Sequence, residues 1–206
     1  MCERRKSYSQ FAFMSTMNKR IEGRVCRHSG HECQSIRSAS FSESDPFRFR
    51  FPPAVFGRRY PHFVEAYRLE DADIALVISG GHAVTCRAAV NRMRAQGIKI
   101  GMARLLWVRP FPGDDLRGAL AGVRAVGVVE TNLGLGGASY GGILSLDVTT
   151  ALYHLDGPRP LVTSFMAGLG GETVPMAEFD WMAGKLGQAV ERGRVEKAAH
   201  WVGFED

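Results

Sequence analysis

From about residue 72 to residue 191 the chain alternates short apolar runs with stretches of helical period, and this alternation restricts the fold more than any other feature of the sequence. Ala72-Asp73-Ile74-Ala75-Leu76-Val77-Ile78-Ser79 reads as a strand ended by Gly80-Gly81. Residues 85–96 then place Ala89, Val90 and Met93 on one side of a helix and Arg87, Asn91, Arg92 and Arg94 on the other, with Gly97 at the C-cap. A second strand is expected over 98–108, stopped by Arg109-Pro110, and a short helix over 114–120 with acids in its first turn, where the helix dipole favours them. A third strand over 125–130, a helix over 138–153 entered through a glycine-rich turn, a fourth strand over 161–165 and a helix over 176–191 behind Pro175 complete the series. Strands separated by helices of this length imply parallel βαβ units. The strands are apolar almost without interruption, as they must be when both sheet faces are covered. The expected fold is therefore a small three-layer α/β sandwich with a mostly parallel sheet over residues 61–206, without internal repeats.

Residues 1–60 follow no such rule. Ser, Arg and Phe are scattered without a period of 2 or 3.6, and the alternating Phe47-Arg48-Phe49-Arg50-Phe51 is cut at once by Pro52-Pro53. This part reads as an irregular basic arm, disordered or loosely docked, or as sequence standing in place of a genuine preceding domain. Its acids, among them Glu3, Glu22, Glu32, Glu43 and Asp45, argue against a transit peptide. The arm carries 12 Lys/Arg against 5 Asp/Glu, a net of +7, while residues 61–206 carry 14 against 16, a net of −2. The basic balance thus belongs to the arm and gives no reason to expect nucleic acid or anionic lipid on the α/β domain. Four cysteines, of which only Cys86 lies in the patterned region, do not make a disulfide framework, and a reducing, cytoplasmic setting is expected. No apolar stretch is long enough to span a membrane.

Five features invite a chemical reading. Ser79-Gly80-Gly81-His82 follows a strand and lets backbone N–H groups approach a phosphate, but it lacks the dinucleotide glycine spacing and reads first as a tight strand-to-helix turn. Glu130 to Ser139 has the strand-to-helix context, with Gly134 and Gly136 in place but Ser139 at the third glycine and no acid at the end of the next strand to hold a ribose. It supports an alternative reading as a stand-alone Rossmann-like nucleotide-binding protein. Cys26-Arg27-His28-Ser29-Gly30-His31-Glu32-Cys33 offers four zinc-type ligands, crowded closer than structural zinc sites usually place them. Arg109-Pro110-Phe111-Pro112 is either a rigid loop presenting Arg109 or a plain strand terminator. Gly168-Leu169-Gly170-Gly171 suggests positive φ, a close backbone approach or a loop packed on another subunit. Glu130 ends a strand at the sheet edge, where sites often form. The candidate interface or loop residues are therefore Arg109, Glu130, Gly168, Gly170 and Gly171. There is no Walker A sequence, no GxSxG, no HExxH and no cysteine run for an iron–sulfur cluster.

Taken in order, several of these pieces resemble one family. Tyr67 to Val77, Gln96-Gly97-Ile98-Lys99-Ile100-Gly101, Trp107-Val108-Arg109-Pro110-Phe111-Pro112, Ala125 to Glu130 with Asn132 and the glycine-rich turn, and Phe165-Met166-Ala167-Gly168-Leu169-Gly170-Gly171-Glu172 are similar to the α subunit of the pyruvate (2-oxoacid):ferredoxin oxidoreductases, the pyruvate synthases. The similarity covers about residues 65–190. It implies a transketolase C-terminal-like domain in an enzyme complex that oxidatively decarboxylates a 2-oxoacid to acyl-CoA and reduces ferredoxin. It also implies that thiamine diphosphate, magnesium and iron–sulfur clusters sit on partner domains or on the β (thiamine-binding) and ferredoxin-type iron–sulfur subunits. No Gly-Asp-Gly of the kind that binds the thiamine pyrophosphate and its metal is found here, and the family's pyrimidine-contacting domain has no counterpart in residues 1–60. The resemblance therefore assigns no catalytic, cofactor-binding or metal-binding residue to this chain. It leads instead to an accessory or assembly domain with an exposed apolar face that seeks a partner.

Overall fold

The computed structural model describes residues 27–28, 31–32, 63–134, 141–155 and 157–203. The chain divides into two units, Met1–Arg58 and Arg59–Asp206. In the first, β1 (Arg27–His28) and β2 (His31–Glu32) pair antiparallel, with His28 opposite His31. The remainder of the basic arm, Cys26 and Cys33 included, lies outside the described residues.

The second unit is built on a six-stranded sheet: β3 (Val64–Tyr67), β4 (Ile74–Ser79), β5 (Ile100–Leu105), β6 (Ala125–Glu130), β7 (Leu161–Met166) and β8 (Ala199–Trp201). Its order is β3-β5-β4-β6-β7-β8. Only β3 runs antiparallel, against β5; every other neighbouring pair is parallel. The helices are α1 (Ala83–Ala95), α2 (Gly113–Ala119), α3 (Ile143–Tyr153) and α4 (Met176–Arg192). Alternation along the strands sorts the core into two layers. Ile74, Leu76 and Ile78 of β4, with Ile100 and Met102 of β5, pack under α1 and α4; Ala75 and Val77 of β4, with Ala103 and Leu105 of β5, pack under α2 and α3. The expected three-layer sandwich is what forms.

β6 is central and buried along its whole length, with one deliberate gap. A Cβ on Gly127 would lie 2.6 Å from the Phe165 ring, so the missing side chain is the space in which that ring crosses the strand.

Three expectations are corrected. The helix expected from Ala138 starts at Ile143: Gly141 and Gly142 are not helical, and residues 135–140 lie outside the described residues. The strand expected over 98–108 is only Ile100–Leu105, because its parallel partner β4 spans six residues and Ser79 is paired with Leu105. Two short edge strands, β3 and β8, have no counterpart in the expected series; four and three residues are too few to show a period.

Candidate functional site

β4 is followed by a connection to β5 on one side of it, and β6 by a connection to β7 on the other. Adjacent strands whose connections diverge leave a crevice beyond their carboxyl ends, the usual ligand position in open α/β sheets. Here the crevice is a cavity of about 330 Å³ lined by Ile78 and Ser79 at the end of β4 and His82 after it, Val108 and Arg109 after β5, Val129 to Asn132 at and just past the end of β6, and Ile143 and Leu144 opening α3. A second cavity of about 350 Å³ shares Ser79, His82 and Thr131 and is otherwise walled by Gly80, Gly81, Gly168, Gly170 and Gly171. The structure thus brings Arg109 and Glu130 to one cavity and the three candidate glycines to its neighbour. Gly168, Gly170 and Gly171 all have positive φ, at 70°, 72° and 89°.

Glu130 is the chemical centre of this edge, and it is already occupied. It is only 4% exposed. One oxygen, Oε1, accepts the N–H of Gly142 at 3.0 Å, the N–H of Ser145 at 3.2 Å and the hydroxyl of Ser164 at 3.1 Å; Oε2 accepts the N–H of Leu144 at 2.9 Å. Asn132 takes the N–H of Ile143 at 3.3 Å through Oδ1. A helix N-terminus presents orphan donors and a partial positive charge. At α3 all of the first donors are satisfied by two side chains at the end of β6. Gly142 is glycine because a Cβ there would collide with the Glu130 carboxylate. The donors that open α3 are therefore taken by the chain's own carboxylate and not left for a phosphate, so nothing here supports the stand-alone nucleotide reading at Gly134. Gly136 and Ser139 of that motif lie outside the described residues.

Arg109 is 54% exposed and is held at one end of the crevice. Its Nη1 donates to Asp147 on α3 and to the Val108 carbonyl, both at 2.7 Å, and the Arg109–Pro110 peptide is cis. His82 is the N-cap residue of α1 and makes no side-chain capping bond. Cys86, one turn into α1, is fully buried, and burial pushes its thiol up to about 12, so it is inert as a nucleophile. Among the described residues no group of three or more His, Cys, Asp or Glu is placed to hold a metal ion. No described helix is long and apolar enough to cross a membrane.

Reasoning from sequence missed Ser164 and Asp147 as parts of this edge and gave Asn132 no role of its own. Asn132, a cap-type residue just past a strand, carried a signal. Ser164 and Asp147 carried none, since their partners lie 34 and 38 residues away in the chain.

Residues 72–179, from the start of β4 into α4, match the model of the pyruvate:ferredoxin oxidoreductase core domain II. The chain belongs to that family. Among relatives, the chain is 35% identical to the pyruvate synthase subunit PorA of Pyrococcus horikoshii over 72% of this chain and 36% of that one. It is 31% identical to the ketoisovalerate oxidoreductase subunit VorA of Pyrococcus abyssi over 71% of this chain and 36% of that one. The chain therefore spans about a third of the length of the curated relatives it matches. A solved 2-oxoglutarate:ferredoxin oxidoreductase from Magnetococcus marinus, with 2-oxoglutarate, coenzyme A and succinyl-CoA bound, superimposes with a TM-score of 0.44 at 20% identity, over 67% of this chain and 21% of that one.

Proposed function

We propose that the chain serves as the transketolase C-terminal-like core domain of a 2-oxoacid:ferredoxin oxidoreductase α subunit and acts only as part of that complex. The complex converts a 2-oxoacid and coenzyme A to acyl-CoA, CO₂ and a proton, and the electron pair released when the carbon–carbon bond breaks passes through iron–sulfur clusters to ferredoxin. The observation that carries this reading is the continuous family match from β4 into α4.

Thiamine diphosphate, when bound, supplies the electron sink for that cleavage. The described residues of this chain do not fit it. Among the described residues the only acid lining the crevice is Glu130, and its oxygens are bound to the N-terminus of α3 and to Ser164. No free carboxylate is left there for magnesium or for the aminopyrimidine ring. This supports a reading in which thiamine diphosphate and magnesium sit on a β subunit or companion core domain, and the clusters on a ferredoxin-type subunit. Residues 61–206 are the working domain, residues 1–60 an irregular appendage, and the setting is the cytoplasm. Arg109, Glu130, Gly168, Gly170 and Gly171 act by shaping and holding the carboxyl edge rather than by touching a reacting atom.

The test is anaerobic co-expression of the tagged chain with the β and iron–sulfur subunits from the same source. Co-elution of both, with viologen reduction that needs a 2-oxoacid and coenzyme A together, is the expected result. Elution of the chain alone, or saturable binding of NAD to it, would overturn the reading.

A further inference from the structure

The run Cys26-Arg27-His28-Ser29-Gly30-His31-Glu32-Cys33 is too compact to surround an ion if it lies along a single strand. It does not lie along a single strand. β1 and β2 meet antiparallel in a sheet of their own, with His28 opposite His31 and Arg27 opposite Glu32. Ser29-Gly30, a turn-forming pair, stands between them in the sequence. Residues two apart on a strand share a face, and so do residues directly opposite one another. Positions 28 and 31 therefore take one face of the ladder. Positions 27 and 32, an opposite-charge pair of the kind that favours a register, take the other.

The run is also symmetric about its centre. Outward from Ser29-Gly30, each side reads a histidine, one residue, then a cysteine. Continued by one pair, the register that joins 28 to 31 and 27 to 32 joins position 26 to position 33, on the face that holds 28 and 31. All four nitrogen and sulfur ligand types then fall on one face, at corners about 5 Å apart across the ladder and about 7 Å apart along it. The strong twist of a two-stranded ribbon turns one edge of that rectangle against the other, toward the disposition a tetrahedral ion requires. Two thiolates with two imidazoles are a donor set of structural zinc sites. A two-stranded hairpin with two residues per strand is marginal in water, and metal binding supplies folding free energy to elements of this kind.

We propose that residues 26–33 form a zinc site, in which Cys26, His28, His31 and Cys33 bind one ion from a single face of the β1–β2 hairpin and the ion holds the hairpin closed. The cysteines bind as thiolates and the histidines as neutral imidazoles, so closure on zinc at neutral pH releases both thiol protons to solvent. Glu32, the remaining ligand-type residue of the run, stands on the other face and takes no part. The site belongs to the arm and requires nothing of the α/β unit or of its function.

The experiment uses the full untagged chain, purified under reducing conditions, stripped of metal with a chelator and titrated with zinc alone against a chromophoric competitor. One zinc per chain is the expected result. Cobalt in its place should give a thiolate-to-metal charge-transfer band and the visible bands of a tetrahedral ion. Cys26→Ser, Cys33→Ser and His31→Ala should each weaken zinc binding at least about tenfold. His31→Cys keeps a ligand at its corner and should retain the ion. Glu32→Gln, on the other face, and Cys2→Ser, outside the run, should leave the affinity unchanged. The unfolding midpoint of the α/β unit, read in parallel, should be the same in every variant, so that a lost ion is not a lost fold. No zinc held against the competitor, or zinc held without the thiolate band, would overturn the proposal. So would a loss in Glu32→Gln or Cys2→Ser as large as that in His31→Ala, because the ion would then be held by something other than this face.

Discussion

The two helical layers of the sheet are finished differently. The α1/α4 layer buries aromatic rings, Phe165 and Phe179, with Met93, Met102 and Met182 around them. Its outer surface is charged and tied together: Arg92 of α1 pairs with Asp180 of α4, and Lys185 pairs with Glu196 at 2.9 Å. The α2/α3 layer has no fully buried aromatic ring among the described residues, and its core is aliphatic. The outer face of α3 is bare of charge, and its position is set from within by Glu130. The first layer is built as a surface that meets water. The second turns Ile143, Leu146 and Tyr153 outward on a helix seated from within.

The largest expected effect tests the first layer. Phe165→Ala should cost about 3–5 kcal/mol in denaturant unfolding, because it empties the space that Gly127 leaves open and removes the ring on which Trp181 and His200 rest. A cost below about 1 kcal/mol would mean that this layer is not the stabilising one. Next is the clamp of the second layer. Glu130→Ala should cost about 3 kcal/mol, since it strands three buried N–H groups and the Ser164 hydroxyl. Added acetate should restore part of the loss by occupying the vacated anion position, where chloride at equal ionic strength should not. If acetate and chloride act alike, the carboxylate is not what seats α3.

These two sites also mark how far the sequence could be read. Ala125–Glu130 was legible to the residue, because a central strand buried on both faces has only one pattern available. The start of α4 was legible from Pro175. The start of α3 was not. It is fixed by a carboxylate 12 to 15 residues upstream, and nothing local distinguishes Gly142-Ile143 from the glycines before it. Arg109 was visible as a candidate, but its partner Asp147 was not, since an ion pair across 38 residues leaves no spacing to read. Glu130 stood out by its position at the end of a strand and was left without a role. Its chemistry is inward, toward its own helix, and only the fold brings the donors together.

A smaller effect concerns His200, buried between the Phe165 ring, stacked at 5.3 Å, and Trp181, edge-on at 5.6 Å. Burial, helped by Lys185 and Lys197 and opposed by Glu196, holds its imidazole below the usual 6.5. The folded state therefore binds this proton less readily than the unfolded chain. The stability it contributes is complete above about pH 6.5 and is lost as pH falls from there through the lower folded value. Unfolding midpoints measured between pH 7.5 and 5 should decline, and His200→Gln should flatten part of that slope. An unchanged slope in the variant would place the acid sensitivity elsewhere.

The smallest expected effect separates the layers most cleanly, because it sets two similarly exposed residues against each other. Trp181 is 41% exposed and Leu146 49%. Trp181 packs its ring on Phe165 and His200 and receives Lys185 over its face, so it covers its own domain's core. Trp181→Lys should cost about 1–2 kcal/mol. Leu146 stands out from a helix whose inner side is already packed, so Leu146→Lys should change stability by no more than about 0.5 kcal/mol. The same substitution should nevertheless reduce recovery of the oxidoreductase complex, while Trp181→Lys should lower the unfolding midpoint without that loss. Equal stability costs would mean that α3's outer face serves the domain's own fold. A free-energy change near zero at Leu146 joined to a lost complex would mean that its apolar surface is kept for assembly.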